Sequence, residues 1–195
     1  SREWKKINKD EPWYRGETLI TGIGQGFMTT SPLQLALATA AIANKGQLLM
    51  PQVMMHSQSK NGDLFEEQNL KSNQIPIKDI NNWELIIEAM RQTVYGKFGT
   101  AKRLNNKLKY SLAGKTGTAQ VFGLDPEEEY IAENIEEKLR DHALFTGFAP
   151  IEDPQVAIAI IVENAGSGSS KAAPLARELL DEYFIKNPVE LNTLN

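Results

Sequence analysis

The sequence predicts an α/β fold of the α+β type, in which helices flank an antiparallel sheet. Two strand-like runs, Ala143 to Ala149 and Gln155 to Glu163, are joined by a turn at Asp153-Pro154, which is typical of an antiparallel hairpin. A third strand-like run, Tyr110 to Phe122, precedes them. Segments with helical periodicity lie before and after these strands, an order that favours helices packed on one sheet.

The first helix is predicted from Pro32 to about Asn44. Thr30 or Ser31 can cap it, proline suits the first helical turn, and Gly46 ends it. Its surface is largely apolar, which predicts a buried helix in the complete protein. In this chain alone, we expect apolar surface on this helix to be exposed or paired with another copy.

Two further helices are predicted, from about Asn82 to Tyr95 and from Lys171 to Ile185. Apolar residues recur in both at spacings of three and four, so each has one face directed at a core. In the earlier helix the inward residues are Trp83, Ile86, Ile87, Met90 and Val94. In the later helix they are Leu175, Leu179, Leu180 and Phe184.

The remaining segments lack a sustained period. Residues up to about Ile20 are rich in Lys, Glu, Trp and Pro and predict an irregular surface arm. Residues 56–80 are polar and predict an exposed connection, with a small hairpin at Asn61-Gly62-Asp63. The stretch from Glu127 to Arg140 predicts a helical or irregular excursion before the hairpin.

Composition excludes several classes of function. Among 195 residues, 21 Lys and Arg face 25 Asp and Glu, and a net charge of −4 argues against a nucleic-acid partner. There is no cysteine and there are only two histidines, so we expect no metal site and no cofactor bound through these residues. No run approaches the roughly 20 apolar residues of a membrane span, so we expect this chain itself to be soluble.

A polar run, Gly114 to Gln120, stands inside the first predicted strand and is the best candidate for a site. Alternation along a strand places Thr116 and Thr118 on one face and Lys115 with Gly117 on the other. Two hydroxyls and a nearby cation suit a carboxylate, and a glycine without a side chain lets a ligand lie close to the strand. The same letters also occur in solvent-exposed turns, so the run alone leaves both interpretations open.

Six segments of the sequence resemble one family when taken together. They are Trp13-Tyr14-Arg15-Gly16-Glu17, Gly22-Ile23-Gly24-Gln25-Gly26, Thr29-Thr30-Ser31-Pro32-Leu33-Gln34, Lys115-Thr116-Gly117-Thr118-Ala119-Gln120-Val121-Phe122-Gly123, Arg140-Asp141-His142 and Phe145-Thr146-Gly147-Phe148-Ala149-Pro150. The fourth contains Lys-Thr-Gly, the third signature of penicillin-recognising serine enzymes. The chain resembles class B penicillin-binding proteins over nearly all its length, and within them the elongation-type members of Gram-negative bacteria.

The resemblance implies the fold, the reaction and the role of each residue. The fold would be the C-terminal portion of the transpeptidase fold shared with serine β-lactamases. The reaction would cross-link peptidoglycan stem peptides through a serine acyl-enzyme, which β-lactam antibiotics block. Lys115 would support the electrostatics and proton transfer around the serines. Thr116, Gly117 and Thr118 would bind the D-Ala-D-Ala terminus, and the Thr118 N–H would form half of the oxyanion hole.

The resemblance also implies partners and a location. The full-length protein would work with a SEDS-family glycosyltransferase and the elongation machinery. It would be held in the cell inner membrane with this region on the periplasmic face.

The nucleophilic serine of the family has no counterpart in this sequence. Ser57-Gln58-Ser59-Lys60 fits Ser-x-x-Lys and Ser59-Lys60-Asn61 fits Ser-x-Asn, but the two overlap and lie in the polar connection. Overlapping motifs cannot face each other across a cleft, so we expect neither to be catalytic. Residues 1–195 are therefore expected to be the C-terminal part of a transpeptidase domain, inactive alone, with the nucleophile, pedestal and anchor upstream.

Two other functions remain open. A serine β-lactamase of the same fold would hydrolyse the acyl-enzyme, although the Gly22 to Gly26 block and Ala119-Gln120 argue against it. A non-catalytic binding or scaffold domain could also retain this fold. We expect the Gly22 to Gly26 block to be a structural loop rather than a nucleotide site, and His142 to be a hydrogen-bonded structural residue.

Overall fold

The computed structural model describes residues 1–53, 56–58, 64–66, 72–121 and 135–188. The chain forms two compact units, Ser1–Ser31 and Pro32–Asn195. Within the described ranges, no helix combines the length and the apolar character needed to cross a membrane.

The first unit contains two short helices, α1 at Arg2–Lys9 and α2 at Arg15–Gly22. The prediction of an irregular arm was wrong here, because polar contacts rather than an apolar stripe stabilise these helices. The N–H of Trp4 donates to Oγ of Ser1 at 3.2 Å, which caps α1. A cap of this kind stabilises a helix that has no apolar periodicity. The prediction relied on such periodicity, which this segment lacks.

Lys5 is the central residue of the first unit, with a side chain only 1% exposed. Its Nζ lies 2.5 Å from Oε1 of Glu17, 3.2 Å from Oε2 of Glu11 and 4.4 Å from the centre of the Tyr14 ring. Burial by itself would lower the pKa of Lys5, but the hydrogen bonds to Glu17 and Glu11 outweigh it and raise that pKa. The hydrogen bond from Lys5 in turn lowers the pKa of Glu17. One buried lysine in α1 is thus paired with two carboxylates, one of them in α2.

We expect the first unit to be most stable near neutral pH. The lowered pKa of Glu17 means that its contribution is present above the pKa of the unfolded chain, about 4.3 for glutamate, and is lost as pH falls through the folded pKa. Glu17→Gln should remove this acid-side dependence, measured by hydrogen exchange of α1 and α2 between about pH 3 and pH 7. Glu3→Gln, at an exposed position of α1, is the control. An unchanged pH profile in Glu17→Gln would contradict the expectation.

The second unit contains the remaining helices and all of the described strands. In chain order they are α3 at Pro32–Ala43, β1 at Gln47–Leu49, β2 at His56–Gln58, β3 at Leu64–Glu66, β4 at Ser72–Gln74, α4 at Asn81–Tyr95, β5 at Ala113–Ala119, β6 at His142–Ala149, β7 at Val156–Val162 and α5 at Ala172–Lys186. Short 3₁₀ turns occur at Lys102–Asn105 and Glu137–Leu139. This order confirms the α+β class, and all three predicted helices begin within one residue of their expected starts.

The main sheet has the order β5-β6-β7 and is antiparallel throughout. All three predicted strands are confirmed, but β5 covers Ala113–Ala119, whereas the prediction ran from Tyr110 to Phe122. The N–H of Leu112 donates to the Tyr95 hydroxyl at 3.1 Å, so this group is not part of the ladder. Strand pairing therefore begins one residue later.

Helices cover both faces of this sheet. On one face, Ala113 and Phe148 pack with Ala43 of α3 and with Ile87 and Met90 of α4. The opposite face packs against α5, through a cluster that includes Leu112, Ala143, Phe145, Ala172, Ala173, Ala176 and Leu180. The core therefore lies around β6, between two helical layers.

The inward face of α5 differs from the prediction. Leu180 is buried at 1% exposure and Phe184 packs against the core, as expected, but Leu175 and Leu179 are 42% and 55% exposed. The remaining inward positions are the alanines at 172, 173 and 176. Small side chains let the helix axis approach the sheet. The prediction chose the largest apolar residues as the inward ones, and it was therefore wrong for Leu175 and Leu179. In α4, Ile86 is likewise exposed.

The two small sheets lie in the connection between α3 and α4. β1 pairs with β4 and β2 pairs with β3, both antiparallel. β2 and β3 flank the predicted hairpin turn, while residues 61–63 themselves lie outside the described residues. Most of the predicted excursion from Glu127 to Arg140 also lies outside them.

Adjacent leucines in α5 provide a test of this packing. Leu180→Ala should lower the free energy of unfolding by about 2–5 kcal/mol, because it leaves a cavity in the core. Leu179→Ala, the matched control on the exposed face, should change it by less than about 0.5 kcal/mol. Urea denaturation followed by circular dichroism measures both. Equal losses would show that the inward face of α5 is assigned incorrectly.

Candidate active site

The run Lys115 to Thr118 lies in the second half of β5 and is extended, not a solvent-exposed turn. β5 pairs with β6 along one edge, and no strand among the described residues pairs with its other edge. Lys115 and Thr118 are exposed, while Thr116 and Gly117 are half-buried. The run is therefore accessible to a ligand along a strand edge, which is the geometry that a peptide receptor requires.

The first residues of β5 are buried and tightly packed, unlike the residues that follow them. A Cβ added to Gly114 would lie 2.5 Å from the ring of Phe145 and 2.9 Å from the main-chain oxygen of Thr146. Only glycine fits at this position, so the strand is fixed against β6 before it emerges at Lys115. The candidate site thus follows a tightly packed part of the strand and remains paired with β6 as far as Ala119.

Lys115 borders a groove with a volume of about 410 Å³. The other wall consists of the C-terminal end of α4 and residues 96–100. The Nζ of Lys115 donates to the main-chain oxygen of Thr116 at 2.6 Å. This contact holds the cation beside the strand, where it raises the local positive potential for an anionic ligand.

Thr100 is a candidate functional residue that sequence reasoning missed. Its Oγ1 lies 2.8 Å from Oγ1 of Thr116. If Thr100 donates in this pair, the hydroxyl proton of Thr116 stays available for a carboxylate. A Cβ at Gly99 would lie 2.3 Å from the main-chain oxygen of Thr93, so this glycine permits the tight turn that places Thr100 here. The only sequence signal was that turn.

A pair of threonine hydroxyls connects α3 with β6, the strand that neighbours the candidate site. Thr146, opposite Lys115 in the register, has its Oγ1 2.5 Å from Oγ1 of Thr39 in α3 and 3.0 Å from the main-chain oxygen of Ile158. Oγ1 of Thr39 also lies 2.8 Å from the main-chain oxygen of Leu35, which is an acceptor. The two hydroxyls therefore have two protons for three contacts. Helix α3, β6 and β7 are thereby joined by hydrogen bonds beneath Lys115.

His142 has a structural role, as predicted. Its Nδ1 accepts the N–H of Asn164 at 2.9 Å, so the ring holds the turn after β7 against the start of β6. The neighbouring Asp141 is buried and its Oδ1 accepts the N–H of Val121 at 3.4 Å. These contacts secure the chain just after β5 ends.

The other motifs from the sequence lie away from β5 in the chain. Gly24 and Gly26 have φ angles of 77° and 74°, which supports a structural loop in the first unit. Of the overlapping serine motifs, Ser57 lies in β2, while residues 59–61 lie outside the described residues. Among the described residues, no group of three or more His, Cys, Asp or Glu side chains is arranged to hold a metal ion.

Comparison with known protein families shows which family the chain belongs to. The penicillin binding protein transpeptidase domain matches residues 4–181, which is most of the chain and includes all of β5. The chain belongs to this family.

Individual relatives agree with the family match. The chain is 39% identical over 184 residues to the peptidoglycan D,D-transpeptidase MrdA of Haemophilus influenzae, covering 94% of this chain and 28% of that protein. Against penicillin-binding protein 2 of Pseudomonas aeruginosa, solved in complex with WCK 5153, the TM-score is 0.77 and the identity 38%, covering 100% of this chain and 39% of that one. The resemblance to elongation-type penicillin-binding proteins of Gram-negative bacteria is confirmed.

A third relative was solved with a partner. Penicillin-binding protein 2 of Helicobacter pylori in complex with MreC has a TM-score of 0.74 and 30% identity, covering 95% of this chain and 30% of that one. The chain spans less than a third of the length of the curated relatives that it matches.

The Thr100–Thr116 contact can be tested without any ligand. In a double-mutant cycle of Thr100→Val and Thr116→Val, we expect a coupling of about 1 kcal/mol in the free energy of unfolding, because each single change removes the same hydrogen bond. The control cycle pairs Thr116→Val with Thr93→Val, whose hydroxyl bonds to the Ala89 oxygen within α4. That cycle should be additive. Additivity in both cycles would contradict the contact.

Proposed function

We propose that this chain is the C-terminal part of the transpeptidase domain of a peptidoglycan D,D-transpeptidase. Its β5 would bind the carboxyl terminus of a D-Ala-D-Ala stem peptide beside a serine contributed by residues outside the chain. The observation that carries the proposal is the position of Lys115 to Thr118, extended at an accessible strand edge and bordered by a groove. The coverage of less than a third of each curated relative supports the division of the site.

The carboxylate receptor consists of hydroxyls and one cation. Thr116 and Thr118 would donate to the two carboxylate oxygens, and the ammonium of Lys115 would add Coulombic attraction. Hydrogen bonds to a charged acceptor are about twice as strong as neutral ones. The contact of Thr116 with Thr100 would keep its proton directed at the ligand.

Acylation would take place at the end of the donor peptide. The serine oxygen would attack the carbonyl carbon of the penultimate D-Ala, and its proton would pass to the departing terminal D-Ala. The N–H groups of Thr118 and of the serine would donate to the oxyanion that forms, and loss of one such donor typically costs about 3–4 kcal/mol. Lys115 would stabilise the negative charge and assist proton transfer between the serines of the site.

The acyl-enzyme would then transfer its peptide. An acceptor amine would attack the ester carbonyl, forming the new peptide bond and returning the proton to the serine oxygen. β-Lactam antibiotics would acylate the same serine, with their carboxylate held by Thr116 and Thr118. Their ring would open instead of releasing D-Ala.

The comparisons also support partners and a location for the full-length protein. Similarity to the Helicobacter pylori protein solved with MreC supports work within the elongation machinery. A SEDS-family glycosyltransferase would be a further partner. The protein would be held in the inner membrane and would act at its periplasmic face. This chain alone would be inactive.

Labelling with fluorescent penicillin tests the proposal. We expect the full-length protein to be labelled, and Lys115→Ala to lower the acylation rate by about 100-fold or more, the range for a residue that assists proton transfer. Lys186→Ala, which removes an exposed lysine at the end of α5, is the charge-matched control and should be labelled normally.

The same experiment distinguishes the alternatives. A scaffold domain would not be labelled, and Lys115→Ala would then change nothing. A β-lactamase would be labelled only transiently and would turn over a chromogenic cephalosporin many times per molecule. Stable labelling with little turnover is the result that supports a transpeptidase.

A further inference from the structure

The loop of residues 166–170 contacts the main chain of β5 at Gly117, within the candidate site. Gly168 in this loop is buried. A Cβ added to it would lie 2.3 Å from the main-chain oxygen of Gly117, 3.1 Å from the nitrogen of Gly117 and 2.2 Å from the main-chain oxygen of Leu144. Real Cβ atoms essentially never approach other atoms below 3.0 Å. Gly168 therefore touches the site strand with its backbone.

The atoms that Gly168 contacts cannot rotate away. Gly117 and Leu144 are opposite each other in the pairing of β5 with β6, so Gly168 lies against one rung of the ladder. Each contacted atom belongs to the main chain and not to the far end of a flexible side chain. Any side chain at position 168 has to displace either the loop or a strand.

The loop is held at both ends. The N–H of Gly166 donates to the main-chain oxygen of Asp141 at 2.8 Å, and the N–H of Ala173 donates to the oxygen of Gly168 at 2.9 Å. Ala173 is fully buried in the first turn of α5, against the core. These hydrogen bonds hold the loop between β6 and α5, so it cannot easily move away from β5.

The two strands differ in how easily they move. β6 lies between β5 and β7, with Phe145 next to Leu144 fully buried in the core. The second half of β5 is exposed or half-buried, and within the described part of the chain it pairs on one side only. A steric conflict at Gly168 should consequently displace Gly117 and the adjoining Thr118.

We infer that Gly168 is a positioning residue for the transpeptidase site, and this inference rests on the proposed function. Its missing side chain sets the distance between α5 and β5, and so fixes the main chain that carries the Thr118 N–H. A donor to an oxyanion must lie about 2.7–3.1 Å from the position of the charge. A shift of about 1 Å in such a group can cost 100-fold in rate.

Gly168→Ala in the full-length protein tests the inference. Acylation by penicillin is separated into the dissociation constant of the initial complex and the acylation rate constant, and rates are referred to the folded fraction. We expect the rate constant to fall by about 10- to 100-fold, and by more than the dissociation constant rises. Gly168→Ser adds the same Cβ and should reproduce the effect.

Gly46→Ala is the matched control. Gly46 has a φ of 94°, and a Cβ there would lie 2.7 Å from the Trp83 ring and 2.7 Å from Nε2 of Gln74. The substitution is therefore also strained and crowded, but it lies outside β5. It should lower the melting temperature and leave acylation per folded molecule unchanged. If Gly168→Ala behaves in the same way as Gly46→Ala, the inference is overturned.

A second measurement separates this inference from the proposed function. The amide resonance of Thr118, observed by NMR in the full-length protein, should shift in Gly168→Ala and not in Gly46→Ala. If the wild-type protein is not acylated, the proposed function fails, whereas an unmoved Thr118 resonance overturns the inference alone. A Gly168→Ala protein that does not fold also overturns it, because the displacement would then have reached the core.

Discussion

Close packing at two glycine positions, where no Cβ fits, is the constraint on which the candidate site depends. Gly114 brings β5 against the ring of Phe145, and Gly168 brings the loop before α5 against Gly117. Both contacts exclude even a methyl group. These two contacts fix the position of β5 relative to β6 and to the loop before α5. Lys115 and Thr118 nevertheless remain exposed. Rigid placement with open access is what a preformed receptor requires.

The polar groups around this strand are held by partners contributed by other elements. Thr116 contacts Thr100 after α4, and Thr146 contacts Thr39 in α3. A hydroxyl that is already oriented loses less entropy when it binds a ligand. Helix α3 and the segment after α4 therefore each supply a hydroxyl that contacts a residue of β6 or β5.

The family relation is consistent with a site that has more than one wall. The matched transpeptidase domain covers most of this chain, yet the chain covers less than a third of each curated relative. In the proposed function, the described residues would provide a carboxylate receptor and an oxyanion donor, and the nucleophile would come from residues outside the chain. Such a division would explain why the sequence contains one strong signature of its family and only overlapping matches to the other two.

Periodicity and local motifs are written in adjacent residues, so they were enough to predict the fold class, the three strands of the main sheet and the bounds of three helices. They also singled out Lys115 to Thr118 as the candidate site. It misplaced the inward face of α5, missed the helices of the first unit and did not indicate Thr100 or Gly168. Those features depend on fit between segments far apart in the chain. A close approach of two backbones leaves no local pattern in the sequence, so it is visible only once the chain is folded.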